Sequence, residues 1–311
     1  MGLLSNPYIV LALTNLFWAG NTIAGKIAAG AIPPFTLTFV RWACVALIAY
    51  ALARPLLAAH RQTIAKHALL LLTMGALGFS LFNTALYSAL NYTSAINVGI
   101  EQGTFPAVIL FLMFVVYRER ITALQAVGVV LAIAGVIAVA SQGSIERLAA
   151  LQFNVGDVIM MVGVLCFALY SIQLRRKPDL PWQVFFFMLS VGGLIASIPF
   201  FALDLVNGRY PEPEWRVVGV LAYVIIFPSL VSQVLWIRGV ELIGAGRASL
   251  FINLIPVFAT ILAVTLLGEP FEWYHMVGLV CVLGGIALAE WSSRRKARQT
   301  LARAPVTQSA N

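Results

Sequence analysis

The stretch Ala85–Gly135, ALYSALNYTSAINVGIEQGTFPAVILFLMFVVYRERITALQAVGVVLAIAG, decides the fold. It holds two apolar runs, near 94 to 117 and 121 to 141, split only by the short charged break Arg118-Glu119-Arg120. Each run is about 20 residues, enough to cross a hydrocarbon layer of about 30 Å as a helix rising 1.5 Å per residue. So short a break joins two helices that cross in opposite directions.

Working outward, the same pattern covers the chain. Apolar runs lie near 6 to 28, 33 to 53, 66 to 90, 94 to 117, 121 to 141, 154 to 175, 182 to 204, 215 to 239, 246 to 267 and 271 to 292. Turn chemistry marks the breaks, as at Pro33 and Pro34, Pro178 to Pro181, and Pro211 to Pro213. Of the 311 residues 61% are hydrophobic and 10% charged, with a mean hydropathy of +0.92. A soluble globular chain is excluded, because about a quarter of its residues would be charged. The sequence therefore predicts an all-α polytopic membrane protein with ten transmembrane helices.

The net charge of +8 is not a nucleic-acid signature, because the basic residues are confined to short loops and the C-terminal tail. With the N-terminus placed in the cytoplasm, Arg54, Arg61, Lys66, Arg118, Arg120, Arg175, Arg176, Lys177, Arg238 and Arg247 fall inside. So do Arg294, Arg295, Lys296, Arg298 and Arg303 of the tail, against only Lys26, Arg147, Arg209 and Arg216 outside. The positive-inside rule then puts both termini in the cytoplasm, in a plasma membrane or a bacterial inner membrane. No basic residue precedes Lys26, so a cleaved signal peptide is not expected. The tail from Arg294 to Asn311 is expected to be disordered against anionic lipid. Cys44, Cys166 and Cys281 each sit in an apolar run and are read as packing residues, with no metal or disulfide chemistry.

Comparison of the chain with itself at an offset of 150 residues superposes Pro106 on Pro256, Glu119 on Glu269, Gly128 on Gly278 and Gly135 on Gly285. Asn83 meets Gln233 and Gly78 meets Pro228 at the same offset. The division is 1–145 and 146–293 as two five-helix repeats, with 294–311 as a basic tail. Five is odd, so the second repeat enters from the opposite side and the two are inverted. Such repeats are a mark of secondary transporters, which expose a site at the repeat interface alternately to each side.

The run from Leu86-Tyr87-Ser88-Ala89-Leu90 through Pro106, Arg118-Glu119-Arg120 and the glycines Gly128 and Gly135 resembles the EamA module of the drug/metabolite transporter superfamily. Gly268-Glu269-Pro270 repeats that signature, and Phe17-Trp18-Ala19-Gly20-Asn21 with Arg41 is similar to the family's first two helices. The resemblance covers residues 6 to 292. It implies an exporter of small metabolites, not an enzyme, and among its branches it resembles the amino-acid exporters, above all those for aromatic amino acids.

Polar residues inside a span are costly and face a cavity or another helix. Their spacing marks stripes: Thr14, Trp18, Asn21, Thr22 and Gly25; Phe79, Asn83 and Tyr87; Glu101, Gln102 and Phe105; Phe167, Tyr170 and Ser171; Ser229, Ser232, Gln233 and Trp236; Ser249, Asn253, Pro256 and Thr260. Each stripe reads either as core packing or as the lining of an aromatic pocket with a few amides, suited to a ligand with an apolar body and a polar head. The substrate-binding candidates are Trp18, Asn21, Thr22, Arg41, Phe79, Asn83, Tyr87, Glu101, Phe105, Tyr170, Gln233, Trp236 and Asn253. Arg41 and Glu101 lie at one depth, about 12 and 10 Å from the outer surface. They read as a structural ion pair, or Arg41 also reads a substrate carboxylate or Glu101 exchanges a proton during transport, or Arg41 snorkels alone. Glu119 and Glu269 are expected to stabilise the start of the helix that follows each or to pair with loop arginines, and Asp157 to stand in a helix's first turn. Pro106 and Pro256 are expected to kink their helices as hinges. Helices five and ten carry glycines seven residues apart and are placed outside the cavity. Trp182, Trp215, Trp273, Trp291, Tyr8 and Tyr274 are read as interfacial anchors.

The expected partners are small-molecule substrates and membrane lipids, with no nucleic acid and no cofactor, in a monomer or homodimer. One competing reading is proton-coupled export of lipophilic cations, disfavoured because the first helix has no acidic residue. Another is a membrane-embedded lipid enzyme, disfavoured because His60, His67 and His275 lie at span ends without ligand spacing.

Overall fold

The structure, a computed structural model, describes residues 6–118, 121–149, 153–243 and 248–303. Glu119, Arg120 and Arg247 lie outside the described residues, as do 304–311 of the tail. All regular structure among the described residues is helical. In α1 (Pro7–Ala28), Asn6 caps the first turn through the amides of Tyr8 and Ile9, and Pro7 stands where no amide is needed. α2 (Pro34–Gly75) passes through a π-helical turn, Ala76–Leu81, into α3 (Phe82–Ala89). There follow α4 (Ala95–Gln102), α5 (Phe105–Tyr117), α6 (Ala123–Ala140), α7 (Ile145–Ala149), α8 (Val155–Gln173) and α9 (Trp182–Val206). α10 (Trp215–Val224), a second π turn (Ile225–Val231), α11 (Ser232–Ile243), a 3-10 turn (Ser249–Asn253), α12 (Leu254–Leu267) and α13 (Trp273–Arg303) complete the chain.

Seven helical runs among the described residues are long and apolar enough to cross a membrane, with Phe251–Leu267 a shorter apolar helix. Ten separate spans were expected; the ninth is this shorter helix, and the rest of the difference has two sources. α1 has the length but carries Thr14, Asn15, Asn21, Thr22 and Lys26, which dilute its apolar character. The expected second and third spans lie within one continuous run, Pro34–Ala89. That run is not straight. The Trp42 indole donates to the Phe79 carbonyl at 3.0 Å, whereas the intervening 37 residues of straight helix would separate them by about 55 Å. The chain therefore reverses between these residues.

α9 packs antiparallel to the first arm of α2, with Thr36 against Asp204, Phe39 stacked on Phe201 at 4.2 Å and Tyr50 beside Phe187. α6 and α13 meet through their glycines: a Cβ on Gly128 would lie 2.4 Å from the Gly285 carbonyl, and one on Gly135 2.9 Å from that of Gly278. Only glycine lets the backbones come so close, and dispersion between them replaces hydrophobic driving force inside a membrane. This seam holds two helices of one chain together, and it lies apart from the polar stripes.

Two ends of the bundle can be told apart. At one, here the Thr93 end, the Lys26 ammonium donates to the carbonyls of Leu90 and Thr93. The Glu269 carboxylate accepts from the amides of Ala95 and Ile96 at 2.8 and 3.0 Å. Glu269 thus caps α4, far away in sequence, and not the helix that follows it; a carboxylate at the positive end of a helix is favourable wherever it comes from. At the other, the Tyr117 end, Tyr117 bonds to the Ile172 carbonyl and Thr122 to Ser292.

Pro106 stands in the first turn of α5, after the break at Gly103 and Thr104. Pro256 stands in the first turn of α12, after the 3-10 turn. Neither kinks a continuous helix, because a helix's first turn has no carbonyl waiting for the missing amide. The tail also departs from expectation, since α13 runs on to Arg303. Residues 294–303 are rich in strong helix formers, and cations near a helix C-terminus are favoured.

Candidate functional site

Arg41 lies in the first arm of α2, 4% exposed. Its Nε donates to Ser229 Oγ at 2.9 Å. Its Nη1 donates to Asn21 Oδ1 at 2.9 Å, to Asn83 Oδ1 at 2.8 Å and to the Tyr87 hydroxyl. Tyr87 in turn donates to Asn21 Oδ1. All these partners are neutral, and no carboxylate pairs with Arg41 among the described residues. Its second terminal nitrogen, Nη2, bonds to none of the described residues and is not among the occluded polar atoms, so it faces accessible space.

The π turns build the walls of this site. Lengthening the ring from i+4 to i+5 frees a carbonyl for outside partners, which is why such turns gather at functional sites. In the first turn the Phe79 carbonyl accepts both the Trp42 indole and Asn83 Nδ2, at 3.0 and 2.6 Å. Asn83 is thereby oriented with its oxygen toward Arg41. In the second turn the Pro228 carbonyl accepts the Trp18 indole at 3.2 Å, and Ser229 donates to the Val224 carbonyl while receiving Arg41.

An aromatic ring lies beside the guanidinium and leads into a wider cluster of rings. The guanidinium sits 5.0 Å from the centroid of the Trp42 ring, which stacks on Phe79 at 4.4 Å, and Phe79 also meets Phe186 and Tyr170. Trp18 and Trp236 pair at 5.6 Å. The half-buried Trp18, Tyr170, Gln233 and Trp236 border accessible space. On the Thr93 side Tyr87 and Leu90 are fully buried against Gly25, where a Cβ would come within 2.8 Å of both side chains.

Of the sequence candidates, the structure brings Asn21, Arg41, Asn83 and Tyr87 into direct contact, with Trp18, Phe79, Tyr170 and Trp236 around them. Thr22 is turned away, accepting from Gln102 at 2.9 Å. Phe105 packs with Phe82 and Phe167 and reaches the site's rings through the contact of Phe167 with Tyr170. Asn253 reaches Glu290 at 3.4 Å. The expected ion pair is not formed: Glu101 is fully buried and neither of its oxygens has a hydrogen-bond partner among the described residues. Equal depth fixed neither the direction of the two side chains nor their partners. Trp42 was missed altogether, although its position beside Arg41 was a usable signal. His275, read as a span-end residue, is 3% exposed and bonded to Asn97. Trp215, Trp273 and Trp291 are exposed, as interfacial rings would be. An apolar cavity of about 260 Å³ between α5, α6 and α8, lined by Phe111, Ile133 and Met161 among others, has no charged lining residue.

The profile of the EamA-like transporter family matches this chain over residues 6–141 and 154–291. The uncharacterized transporter YyaM of Bacillus subtilis is 27% identical over 288 residues, covering 91% of this chain and 93% of that protein. An uncharacterized transporter of Archaeoglobus fulgidus is 29% identical, covering 91% of this chain and 97% of that protein. A crystal structure at 20% identity superposes with a TM-score of 0.62, over 94% of this chain and 99% of its own, which shows the fold alone.

Proposed function

Since this chain belongs to the EamA-like transporter family, we propose that it is a secondary transporter exporting amino acids, aromatic and other neutral ones, or similar small carboxylate-bearing metabolites. One observation carries the substrate class. A buried guanidinium with no counter-ion among the described residues, with Nη2 toward accessible space and the stacked Trp42 and Phe79 rings beside it, matches a ligand that has a carboxylate head and an apolar body. The alternative, export of lipophilic cations, has Glu101 in its favour, but a cation at this site would face Arg41.

The mechanism proposed is alternating access between two inverted five-helix repeats. Several observations support that reading. The family profile matches the chain twice. An offset of 150 carries the π turn at 76–81 onto 226–231, within the second π turn, and the left-handed cap Arg118 onto the left-handed cap Gly268. The same exchange turns the contact Gly128–Gly285 into Gly278–Gly135, the other close contact of the seam. Two pairs equivalent at this offset, the first arm of α2 with α9 and α6 with α13, run antiparallel, in keeping with inversion. On this reading the Thr93 end is extracellular, both termini are cytoplasmic, and the breaks before Pro106 and Pro256 are hinges.

The experiment is counterflow of labelled phenylalanine, tryptophan, threonine and methionine in proteoliposomes. Saturable exchange of at least one, lost in Arg41→Gln and reduced in Trp18→Ala, is the expected result. Folded protein that moves none of them, or an Arg41→Gln variant that moves them at the wild-type rate, sinks the amino-acid reading.

A further inference from the structure

Glu101 is a buried ionisable group that the Arg41 site leaves unused. It lies at 0% exposure in α4, and neither carboxyl oxygen has a partner among the described residues. α4 packs against α1, α6, α8, α12 and α13. α6 and α12 carry no titratable side chain. α8 contributes Asp157 in its first turn; α13 contributes Tyr274 and His275; α1 contributes Lys26, whose ammonium is engaged by the carbonyls of Leu90 and Thr93.

One turn before Glu101, Asn97 belongs to a hydrogen-bonded chain whose polarity is fixed at both ends. His275 Nδ1 accepts from the Glu272 amide at 2.9 Å, which leaves Nε2 to donate to Asn97 Oδ1 at 3.1 Å. Asn97 Nδ2 donates to Thr93 Oγ1 at 3.0 Å, and the Thr93 hydroxyl donates to Asp157. All four side chains are buried. The chain lies at the Thr93 end, and Asn97 is its member on α4, one helical turn before Glu101.

An ionised carboxylate without partners in a membrane interior is costly, and such residues mark ion and proton pathways. No cluster of three or more metal-ligating side chains lies among the described residues, and a single proton neutralises the group. Building on the transporter reading above, we infer that Glu101 is a proton-binding site that couples the export cycle to the proton gradient. A hydronium ion gives its proton to a carboxylate oxygen, one O–H bond forms, and repacking of α4 returns the proton to water at the other end. Asp157, Thr93, Asn97 and His275 are positioning residues that connect the site to the Thr93 end.

Two readouts on the full-length protein in liposomes test this. Infrared difference spectra between alkaline and neutral pH should contain a buried carboxylic-acid C=O band that is lost in Glu101→Gln, retained in the exposed control Glu241→Gln, and moved in pH midpoint by Asp157→Asn. With labelled phenylalanine as probe and a trapped pH dye, an imposed gradient should speed transport severalfold in the native protein, and Glu101→Gln should abolish that response. A band that vanishes with Glu101 while phenylalanine does not move overturns the amino-acid reading and leaves the proton site standing. A spectrum unchanged by Glu101→Gln, or a gradient response that survives it, overturns the proton site and leaves the substrate reading standing. Should Glu101→Gln not fold, the Asp157→Asn spectrum decides: an unmoved midpoint overturns the proposal.

Discussion

Arg41 and Glu101 are both buried charged residues inside the bundle, and the protein treats them in opposite ways. Arg41 is held by four neutral side chains from three other helical segments, with one nitrogen left over. Glu101 is held by none among the described residues. Neither has a counter-ion in hand, although the two together would neutralise each other. A structural ion pair would minimise the cost of burying both. Keeping them apart leaves two separate demands, one for an anion at Arg41 and one for a proton at Glu101. That division is what a transporter coupling a carboxylate substrate to protons would need.

The sharpest way to break the contrast is to give Arg41 a counter-ion of its own. Asn83→Asp would place a carboxylate where an amide oxygen now lies 2.8 Å from Nη1. An opposite charge at that range is worth about 6 kcal/mol at an effective dielectric of about 20. Substrate exchange in proteoliposomes is expected to fall about a hundredfold, because the substrate carboxylate must displace the new one. Exchange at the native rate would show that Arg41 does not read the substrate. Next in size is Glu101→Met, which replaces an unpartnered carboxyl by an apolar side chain of similar length. Stability is expected to rise by about 2 kcal/mol, seen as a higher thermal midpoint; a fall would mean that Glu101 has structural partners.

The sequence made the elements of this contrast readable but not its geometry. Period-four spacing picked out the stripe Trp18, Asn21, Thr22 and the stripe Phe79, Asn83, Tyr87, and the structure joins Asn21, Asn83 and Tyr87 at Arg41. The glycines of α6 and α13 were legible as a packing seam because a seven-residue spacing keeps them on one face. Helix periodicity gives depth and a face, yet it cannot say which other helix that face meets. That is why Arg41 and Glu101, equal in depth, were expected to pair, and why Glu269 was assigned to its own neighbouring helix when it caps α4. The π turns were also hidden: no residue type signals them, and they decide which carbonyls are free to orient Asn83 and Trp18. Stripes moreover contain residues that serve other contacts, as Thr22 does with Gln102.

Two contacts of Arg41, to Ser229 and to Tyr87, sharpen the comparison by showing what satisfaction means there. Ser229 is the one partner of Nε, so Ser229→Ala strands a buried charged donor and is expected to lower stability by about 1.5 kcal/mol. Tyr87→Phe is gentler, since Nη1 keeps Asn21 and Asn83, and Asn21 Oδ1 keeps Arg41. Its cost is expected to be about 1 kcal/mol or less, read as a small drop in thermal midpoint, with exchange close to native. The order of the two follows from redundancy: a donor with one acceptor depends on it, and a donor shared among three does not. If Tyr87→Phe proved the more damaging, the hydroxyl would be acting on more than Arg41. The network would then have to be viewed as a proton-carrying chain through Asn21, and not as a cradle for the guanidinium.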